Sequence, residues 1–150
     1  MPDVKDVGAL MSVTYDVAAR DFVRAGEAAS KLKRLLQQLG LDPAVIRRAA
    51  IAAYEAEMNI VIHSYGGQIK VDITPESIEM ICEDSGPGIP DIEKALQEGY
   101  STATEEIREM GFGAGMGLPN IQRSADQFRI ESTVGEGTCL QVTILHEAGE

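Results

Sequence analysis

The sequence predicts an α+β fold, a two-layer sandwich in which helices cover one face of a mixed, mainly antiparallel sheet. Two pairs of short segments, 68–82 and 128–145, alternate between apolar and polar residues around a turn, as β-hairpins do. Two longer segments, 20–39 and 42–64, carry apolar residues at steps of three and four, which is typical of amphipathic helices. Because helices and strands do not alternate one by one, a doubly wound parallel sheet is not expected.

Composition and charge restrict the classes of function. The 150 residues fit one domain, 1–150, and 44% of them are hydrophobic, which excludes a disordered chain. The formal net charge of −11 argues against duplex nucleic acid or an anionic membrane as the main partner. No run of residues approaches a membrane span and no signal peptide is recognisable, so a cytoplasmic location is expected. Two cysteines and two histidines give a zinc site little support.

The first half of the chain reads as one strand followed by two helices. Alternation over 11–17 predicts a strand. One apolar stripe predicts the helix 20–39, with Gly40 as the residue that ends it. Asp42 followed by Pro43 predicts the start of the next helix, with Asp42 as its N-cap, and the helix is expected to end near residue 64.

The second half reads as two hairpins separated by helices and a loop. The first hairpin places Asp84 at the end of a strand. A loop as long as 99–115 inside a compact domain is usually functional or disordered. In chain order, the predicted elements are strands 68–74 and 77–82, a short helix 90–98, the loop with a helical turn near 105–110, a helix 116–127, and strands 128–134 and 138–145 around the turn 135–137.

Glycine clusters border the polar stretch 83–120. The first cluster is Asp84-Ser-Gly86-Pro-Gly88, and the second is Gly111-Phe-Gly113-Ala-Gly115-Met-Gly117. Because glycine loses more conformational freedom on folding than other residues, such clusters indicate that bare backbone must approach something, and phosphate is the usual candidate. The spacing matches neither a Walker A loop nor a GxGxxG dinucleotide motif.

Four motifs in order resemble those of the GHKL (Bergerat-fold) ATPases. They are Glu55-Ala-Glu-Met-Asn59 on a helix, the first glycine cluster after a strand, Gly113-Ala-Gly115-Met-Gly117 at the start of a helix, and Gly135-Glu-Gly137-Thr138 before the last strand. The stretches NIVIHSYGG, EDSGPGIPDIEKALQEGYST and GAGMGLPNIQRSADQF are most similar to small bacterial serine kinases of the anti-sigma-factor and partner-switching group.

This resemblance implies that ATP and Mg²⁺ are the cofactors. It implies Asn59 as the Mg²⁺ ligand, and an amide oxygen suits an ion that takes oxygen ligands beside the nucleotide phosphates. Glu55, one helical turn earlier, is implied as the catalytic base that accepts a proton from the attacking hydroxyl. Asp84 is implied to accept a hydrogen bond from the exocyclic amine of adenine. Without the other motifs, Glu55 and Asn59 would read as a solvated helix face and Asp84 as a turn residue.

The resemblance also implies further nucleotide contacts and an ATP lid over about 97–116. Thr138 is expected to support Asp84 at the adenine edge, although a plain strand threonine fits the sequence as well. Related kinases often carry an arginine before the final Gly-x-Gly; here Gly113-Ala114 occupies that place, and Arg108 or, less suitably, Arg123 would substitute. The implied nucleotide-binding residues beyond Asn59 and Asp84 are Gly86, Gly88, Ile89, Ser101, Thr102, Gly113, Ala114, Gly115, Met116, Gly117, Leu118 and Thr138.

Several other residues receive structural interpretations. Glu57 points about 200° away from Glu55 around a helix and is expected to be exposed or paired with an arginine. His63 continues the Glu55–Asn59 face and is interpreted as structural or as part of the pocket wall. Cys82 and Cys139 are interpreted as small core residues rather than redox partners.

The function implied by the resemblance is a Mg-ATP-dependent protein serine/threonine kinase that phosphorylates a small STAS-type antagonist protein. The alternative is an ATP-bound binding module, an anti-sigma factor that sequesters a sigma factor or regulator with little kinase activity. A bare ATPase or a detached histidine-kinase domain is a third reading, and an acid-labile product would reveal the latter. The sequence leaves open whether the chain forms a homodimer.

Overall fold

The computed structural model describes residues 11–97 and 117–146. Within these ranges five strands and four helices confirm the predicted α+β class. The elements are β1 Met11–Val17, α1 Glu27–Gln38, α2 Pro43–His63, β2 Gly67–Ile73, β3 Ser77–Ser85, α3 Ile92–Ala95, α4 Gly117–Ser124, β4 Gln127–Thr133 and β5 Gly137–Leu145. The predicted loop 99–115 and all of the predicted lid except Gln97 lie outside the described residues.

The five strands form one sheet in the order β1-β2-β3-β5-β4. Every neighbouring pair of these described strands is antiparallel. The central strand β3 pairs with β2 on one side and with β5 on the other, so Asp84 lies opposite Gly67 and opposite Thr138. The first hairpin therefore delivers Asp84 to the end of the central strand, as predicted.

One face of the sheet packs against the helices and the other is polar. Alternate residues of β2, β3 and β5 point into the core because successive side chains of a strand lie on opposite faces. The buried residues of these strands are Ile69, Val71, Ile73, Ile78, Met80, Cys82, Thr138, Leu140, Val142 and Ile144. The opposite face carries exposed polar residues, including Lys70, whose Nζ lies 3.2 Å from Oε1 of Glu83.

Helix α2 is the centre of the helical layer, since it contacts α1, α4 and the sheet. It starts as the sequence predicts: the side chain of Asp42 accepts a hydrogen bond from the backbone N of Ala44 at 2.7 Å, and Pro43 is the first helical residue. Its second half is buried on most sides, from Ala56 through Met58 and from Ile60 through Ile62. The residues Glu55, Asn59 and His63 lie on its remaining, half-buried face.

The predicted helix 20–39 is wrong for residues 20–26, because α1 begins only at Glu27. Two residues in this segment have left-handed backbone conformations, Arg20 with φ 61° and Gly26 with φ 94°. A left-handed residue cannot continue a right-handed helix, so the chain makes turns until Gly26. The backbone N of Arg20 donates instead to the carbonyl of Val61 at 2.8 Å.

Two other predicted helices are shorter than expected. Helix α4 ends at Ser124 rather than near residue 127, and the carbonyl of Ser124 accepts a hydrogen bond from Nε of Arg48 at 2.9 Å. The next residues turn into β4, where the N of Asp126 donates to the carbonyl of Thr143 at 2.9 Å. Helix α3 covers only Ile92–Ala95, after Asp91 as its N-cap.

None of the helices within residues 11–97 and 117–146 has the length and hydropathy of a membrane span.

Candidate functional site

The half-buried face of α2 presents Glu55 to the start of α4. Nδ2 of Asn120 donates to Oε2 of Glu55 at 2.7 Å. The guanidinium of Arg123 donates to Oδ1 of Asn120 at 2.8 Å. Since an amide that accepts at its oxygen must present its nitrogen on the other side, Arg123 orients Asn120 toward the carboxylate. Arg123 is thus engaged within its own helix.

The other carboxylate oxygen of Glu55 faces the first residue of α4. A Cβ placed at Gly117 would lie 3.7 Å from Oε1 of Glu55. The first N–H groups of a helix have no partner within the helix, and they favour an anion. Glu55 and the predicted phosphate-binding end of α4 are therefore neighbours, as the motif order predicts.

Asn59 lies one turn after Glu55 on the same face of α2 and is half-buried. Its side chain makes no hydrogen bond to any residue that the structure describes, which leaves the amide oxygen available to a ligand. Within the described ranges, no group of three or more His, Cys, Asp or Glu side chains could hold a metal ion. The donor set fits a Mg²⁺ ion that takes one protein oxygen and completes its shell with phosphate and water.

Asp84 is half-buried at the end of β3. Its Oδ1 accepts a hydrogen bond from the backbone N of Thr138 at 3.2 Å. Burial raises the pKa of Asp84, and the hydrogen bond from Thr138 opposes that rise. The second oxygen has no hydrogen-bond partner among the described residues, so it can accept a donor such as an exocyclic amine.

A hydroxyl pair below Asp84 was not found from the sequence. Oγ of Ser132 lies 2.9 Å from Oγ1 of Thr138, and it also accepts a hydrogen bond from the backbone N of Ile89 at 2.7 Å. Thr138 thus contacts Asp84 through its backbone and Ser132 through its hydroxyl. Through these hydrogen bonds the pair connects Ile89, which follows the first glycine cluster, to β4 and β5. The only sequence signal for this pair was the serine at position 132, which occupies an inward-facing position in the alternating pattern of the strand.

Two glycines of the first cluster are required by the packing of the chain itself. A Cβ at Gly86 would lie 3.0 Å from Cα of Ser64. Gly88 has φ +76°, and a Cβ there would lie 2.5 Å from the carbonyl oxygen of Thr133. Close backbone packing therefore explains both glycines without a ligand. Their contact with a nucleotide stays a prediction.

The interpretation of Glu57 as exposed is wrong, because only 3% of this residue is accessible. Its Oε2 accepts hydrogen bonds from the backbone N of Gly26 at 3.0 Å and of Ala28 at 3.2 Å, and its Oε1 accepts one from Ala29 at 3.0 Å. The N-cap position of α1 is a glycine and has no side-chain cap of its own. Glu57 therefore caps α1 from a different helix. A glutamate inside a helix segment of buried apolar residues was the signal for this role.

His63, Cys82 and Cys139 received structural interpretations from the sequence, and their positions in the fold can be compared with these. Burial, with the nearby charge of Arg20, lowers the pKa of the half-buried His63, which is consistent with the predicted structural or pocket-wall role. Burial raises the pKa of Cys82 to about 12, so its thiol stays neutral. Cys82 is a core residue, as predicted. The prediction is wrong for Cys139, which alternates with the buried Thr138 and Leu140 and so lies on the opposite face of the sheet. Both are free cysteines.

The second glycine cluster is described only from its last residue. Leu118 turns its side chain into the core, so a nucleotide contact there would involve its backbone. Six of the predicted nucleotide-binding residues, and Arg108, lie outside the described residues: Ser101, Thr102, Gly113, Ala114, Gly115 and Met116.

The predicted site residues form two groups that the second half of α2 connects. Glu55 lies on α2 beside the start of α4, and Asp84 lies with Thr138 and Gly88 at the end of the central strands. The C-terminal end of α2 joins them, because the N of Tyr65 donates to the carbonyl of Ser85 at 2.7 Å and Gly86 packs on Ser64.

Comparisons with known proteins show the family to which the chain belongs. Residues 18–144 match the family model described as "Histidine kinase-like ATPase domain". The chain is 36% identical over 119 residues to the serine/threonine-protein kinase RsbT of Bacillus subtilis, an alignment that covers 76% of this chain and 84% of that protein. It is 39% identical over 110 residues to the anti-sigma F factor of a Thermoanaerobacter species, covering 69% of this chain and 73% of that protein. An anti-sigma F factor from Caldanaerobacter subterraneus is 37% identical over 110 residues.

Proposed function

This chain belongs to the family of histidine kinase-like ATPase domains, and from that premise we propose that it is a Mg-ATP-dependent protein serine/threonine kinase of a bacterial partner-switching system. Its substrate in this proposal is a small antagonist protein of the STAS type. The observation that carries the proposal is the placement of Glu55, whose carboxylate is held by Asn120 beside the first residue of α4. The similarity to a serine/threonine-protein kinase supports the same reaction.

Glu55 acts as the general base in this proposal. One of its oxygens is occupied by the amide of Asn120, which fixes the carboxylate. The other oxygen faces the start of α4, where backbone N–H groups favour phosphate. A serine hydroxyl placed between Glu55 and that phosphate would give its proton to Glu55 while its oxygen forms a bond to the γ-phosphorus. The bond from the γ-phosphorus to ADP would break, and ADP would leave. Such positioned proton transfer contributes roughly a hundred- to ten-thousandfold in rate.

The proposed cofactor is ATP with Mg²⁺, which supplies the transferable phosphoryl group and neutralises phosphate charge. Asn59 would hold the metal through its amide oxygen. Asp84 would accept a hydrogen bond from the exocyclic amine of adenine, and guanine, which has a carbonyl at that place, would be rejected. Ser132 and Thr138 keep the loop that follows Asp84 in place.

The test combines calorimetry with phosphate transfer from radiolabelled ATP. We expect the wild type to bind Mg-ATP but not GTP, and to label STAS-domain proteins with an acid-stable phosphate, as serine or threonine gives. Glu55→Gln keeps the size of the side chain and should retain ATP binding while transfer falls at least roughly a hundredfold. No binding at millimolar ATP, or an acid-labile product, would contradict the proposal.

The similarity to anti-sigma F factors supports a second candidate, a binding module that sequesters a sigma factor or regulator. The same Glu55→Gln variant separates the two. If a sigma factor co-purifies equally with wild type and variant, and no acceptor is labelled by wild type, sequestration is the main activity. If wild type labels an acceptor and the variant does not, the kinase reading holds.

A further inference from the structure

A groove runs along the solvent side of the helix pair α1 and α2, opposite the sheet. It consists of two adjoining hollows that share Lys33, Ala50 and Tyr54. Each has a volume of about 520 Å³. One hollow follows α2 and ends at Glu55, and the other surrounds the turn before α1. The groove thus ends at the proposed catalytic base.

The groove is positive although the chain is strongly negative. Lys33 and Arg47 line the hollow beside Glu55, and Arg34 lines the other. None of these three basic side chains forms an ion pair with a residue within 11–97 or 117–146. Because the formal net charge of the chain is −11, the rest of its surface must be strongly negative. An exposed basic groove on an acidic protein favours an acidic partner.

Two acidic side chains line the groove, against four basic ones. Oε1 of Glu27 lies 3.0 Å from Nζ of Lys31, whereas the partner of Glu55, Asn120, is a neutral amide. The other arginine of the groove, Arg24, lies 4.0 Å from Asp21 in a loose pair. The basic side chains therefore make the electrostatic potential in the groove positive for an approaching partner.

Apolar side chains form the floor and rim of the groove. Tyr54 is 42% exposed and Ile51 is 40% exposed, and both line the hollow that ends at Glu55. The ring of Tyr54 lies over Gly26, where a Cβ would be only 3.4 Å from its Cε1. A tyrosine held in this way offers contact area at a low entropic cost and is typical of interface centres.

We propose that this groove binds an acidic segment of the phospho-acceptor protein and guides its serine to Glu55. The inference rests on the proposed kinase function and names the surface by which that site selects its substrate. Glu55 lines the end of the groove and also faces the start of α4, so a hydroxyl arriving along the groove reaches the carboxylate beside the place proposed for the phosphate. Holding the hydroxyl oxygen next to the phosphorus that it attacks is what proximity catalysis requires.

The test uses a fluorescein-labelled peptide with one serine flanked by aspartate and glutamate, and the same peptide with asparagine and glutamine in their place. Fluorescence anisotropy measures binding to the full chain with Mg-ATP. The groove variant is Lys33→Glu with Arg47→Glu. The matched control is Lys70→Glu with Arg129→Glu, which makes the same change in net charge on the outer face of the sheet.

We expect the wild type to prefer the acidic peptide. The groove variant should bind this peptide roughly tenfold more weakly, because two attractive interactions between exposed charges become repulsive. The control variant should bind it within about twofold of wild type. If both variants weaken binding equally, the effect is one of net charge, and the groove is not the docking surface. Preference for a single-stranded oligonucleotide or for anionic vesicles over the acidic peptide would also overturn the proposal.

A kinetic readout separates this proposal from the proposed function. In the groove variant, KM for peptide phosphorylation should rise while kcat is kept, because docking remote from the chemistry is lost equally in ground and transition states. If neither protein binds Mg-ATP or transfers phosphate, the kinase proposal fails. If both do so with the same KM, the groove proposal alone fails.

Discussion

At the scale of single residues, Asp84 lies in a half-buried position that disfavours the charged form of its carboxyl group. Burial at the end of β3 raises its pKa, and one backbone hydrogen bond from Thr138 compensates only in part. A carboxylate in this condition gains most from a further hydrogen-bond donor, which the adenine amine would supply. In the proposed kinase, the contact with adenine would offset this cost to the stability of the unliganded protein.

Asp84→Asn should therefore weaken ATP affinity and stabilise the unliganded protein. A hydrogen bond to a charged group contributes about 1.5–3 kcal/mol, so calorimetry should show affinity reduced roughly ten- to a hundredfold. Because the folded-state pKa is raised above the ordinary 3.8, the stabilising contribution of the group exists below that pH and is lost as pH rises through the raised pKa. The Tm of the unliganded variant should exceed that of wild type at neutral pH, and the difference should shrink toward pH 3.8. An equal Tm at both pH values would contradict this account.

Asn120→Asp tests the link between Asn120 and Glu55. The substitution places a second carboxylate within hydrogen-bond distance of Glu55, and like charges favour the retention of a proton. The acid limb of the pH–rate profile for phosphate transfer should move to higher pH. Asn120→Ser is the control, which should lower the rate without moving the limb. An unmoved limb in the Asp variant would show that Asn120 does not contact the reacting base.

The sequence placed residues of short motifs on the correct elements and missed residues whose partners are distant in the chain. The spacing of four predicted that Glu55 and Asn59 share one face of α2, as they do, while their roles come from the resemblance and stay predictions. Asn120 and Ser132 were not, because their contacts with Glu55 and Ile89 span 65 and 43 positions of the chain. Periodicity carries no information about such pairs.

At the scale of elements, α1 depends on α2 for its start. The N-cap position of α1 is Gly26 with φ 94°, which has no side chain to cap the helix. Glu57 of α2 replaces that cap and accepts three backbone hydrogen bonds. The sequence predicted both helices but extended α1 through residues 20–26, because the stripe of apolar residues continues where the backbone does not. The hollow around the turn before α1 lies beside this contact, since Gly26 and Ala29 line it.

Glu57→Ala should destabilise the protein by about 2–3 kcal/mol, the combined effect of a lost cap and of buried N–H groups left without an acceptor. Glu57→Gln should cost less, since its amide oxygen keeps part of the acceptor capacity. Urea unfolding measures both. Glu27→Ala, at the exposed first residue of α1, is the control and should change the midpoint little. A Glu57→Ala variant as stable as the control would show that the buried carboxylate does not hold α1.

At the scale of the whole molecule, one large buried cluster connects most elements of the described ranges, while the charge is unevenly distributed. One cluster of buried residues includes members of α1, α2, α4 and of β1, β2, β3 and β5. This continuity supports the predicted single domain, which we propose as one cooperative unit. The fold class was predictable because apolar residues repeat with different periods in strands and in helices. The strand order was not predictable, because the position of β5 between β3 and β4 depends on long-range pairing.

The uneven charge leads to a prediction about salt. An excess of 11 negative charges repels itself more strongly in the compact state than in the unfolded chain, and about 0.15 M salt screens charges beyond roughly 8 Å. Calorimetric scans should therefore show one unfolding transition whose Tm rises by a few degrees between low and physiological salt. The groove variant and its outer-face control carry the same net charge, so they should share a steeper salt dependence, although only the groove variant loses the acidic peptide. A Tm that is flat or falls with salt would show that local ion pairs, and not the summed charge, govern stability, and two transitions would contradict the single unit.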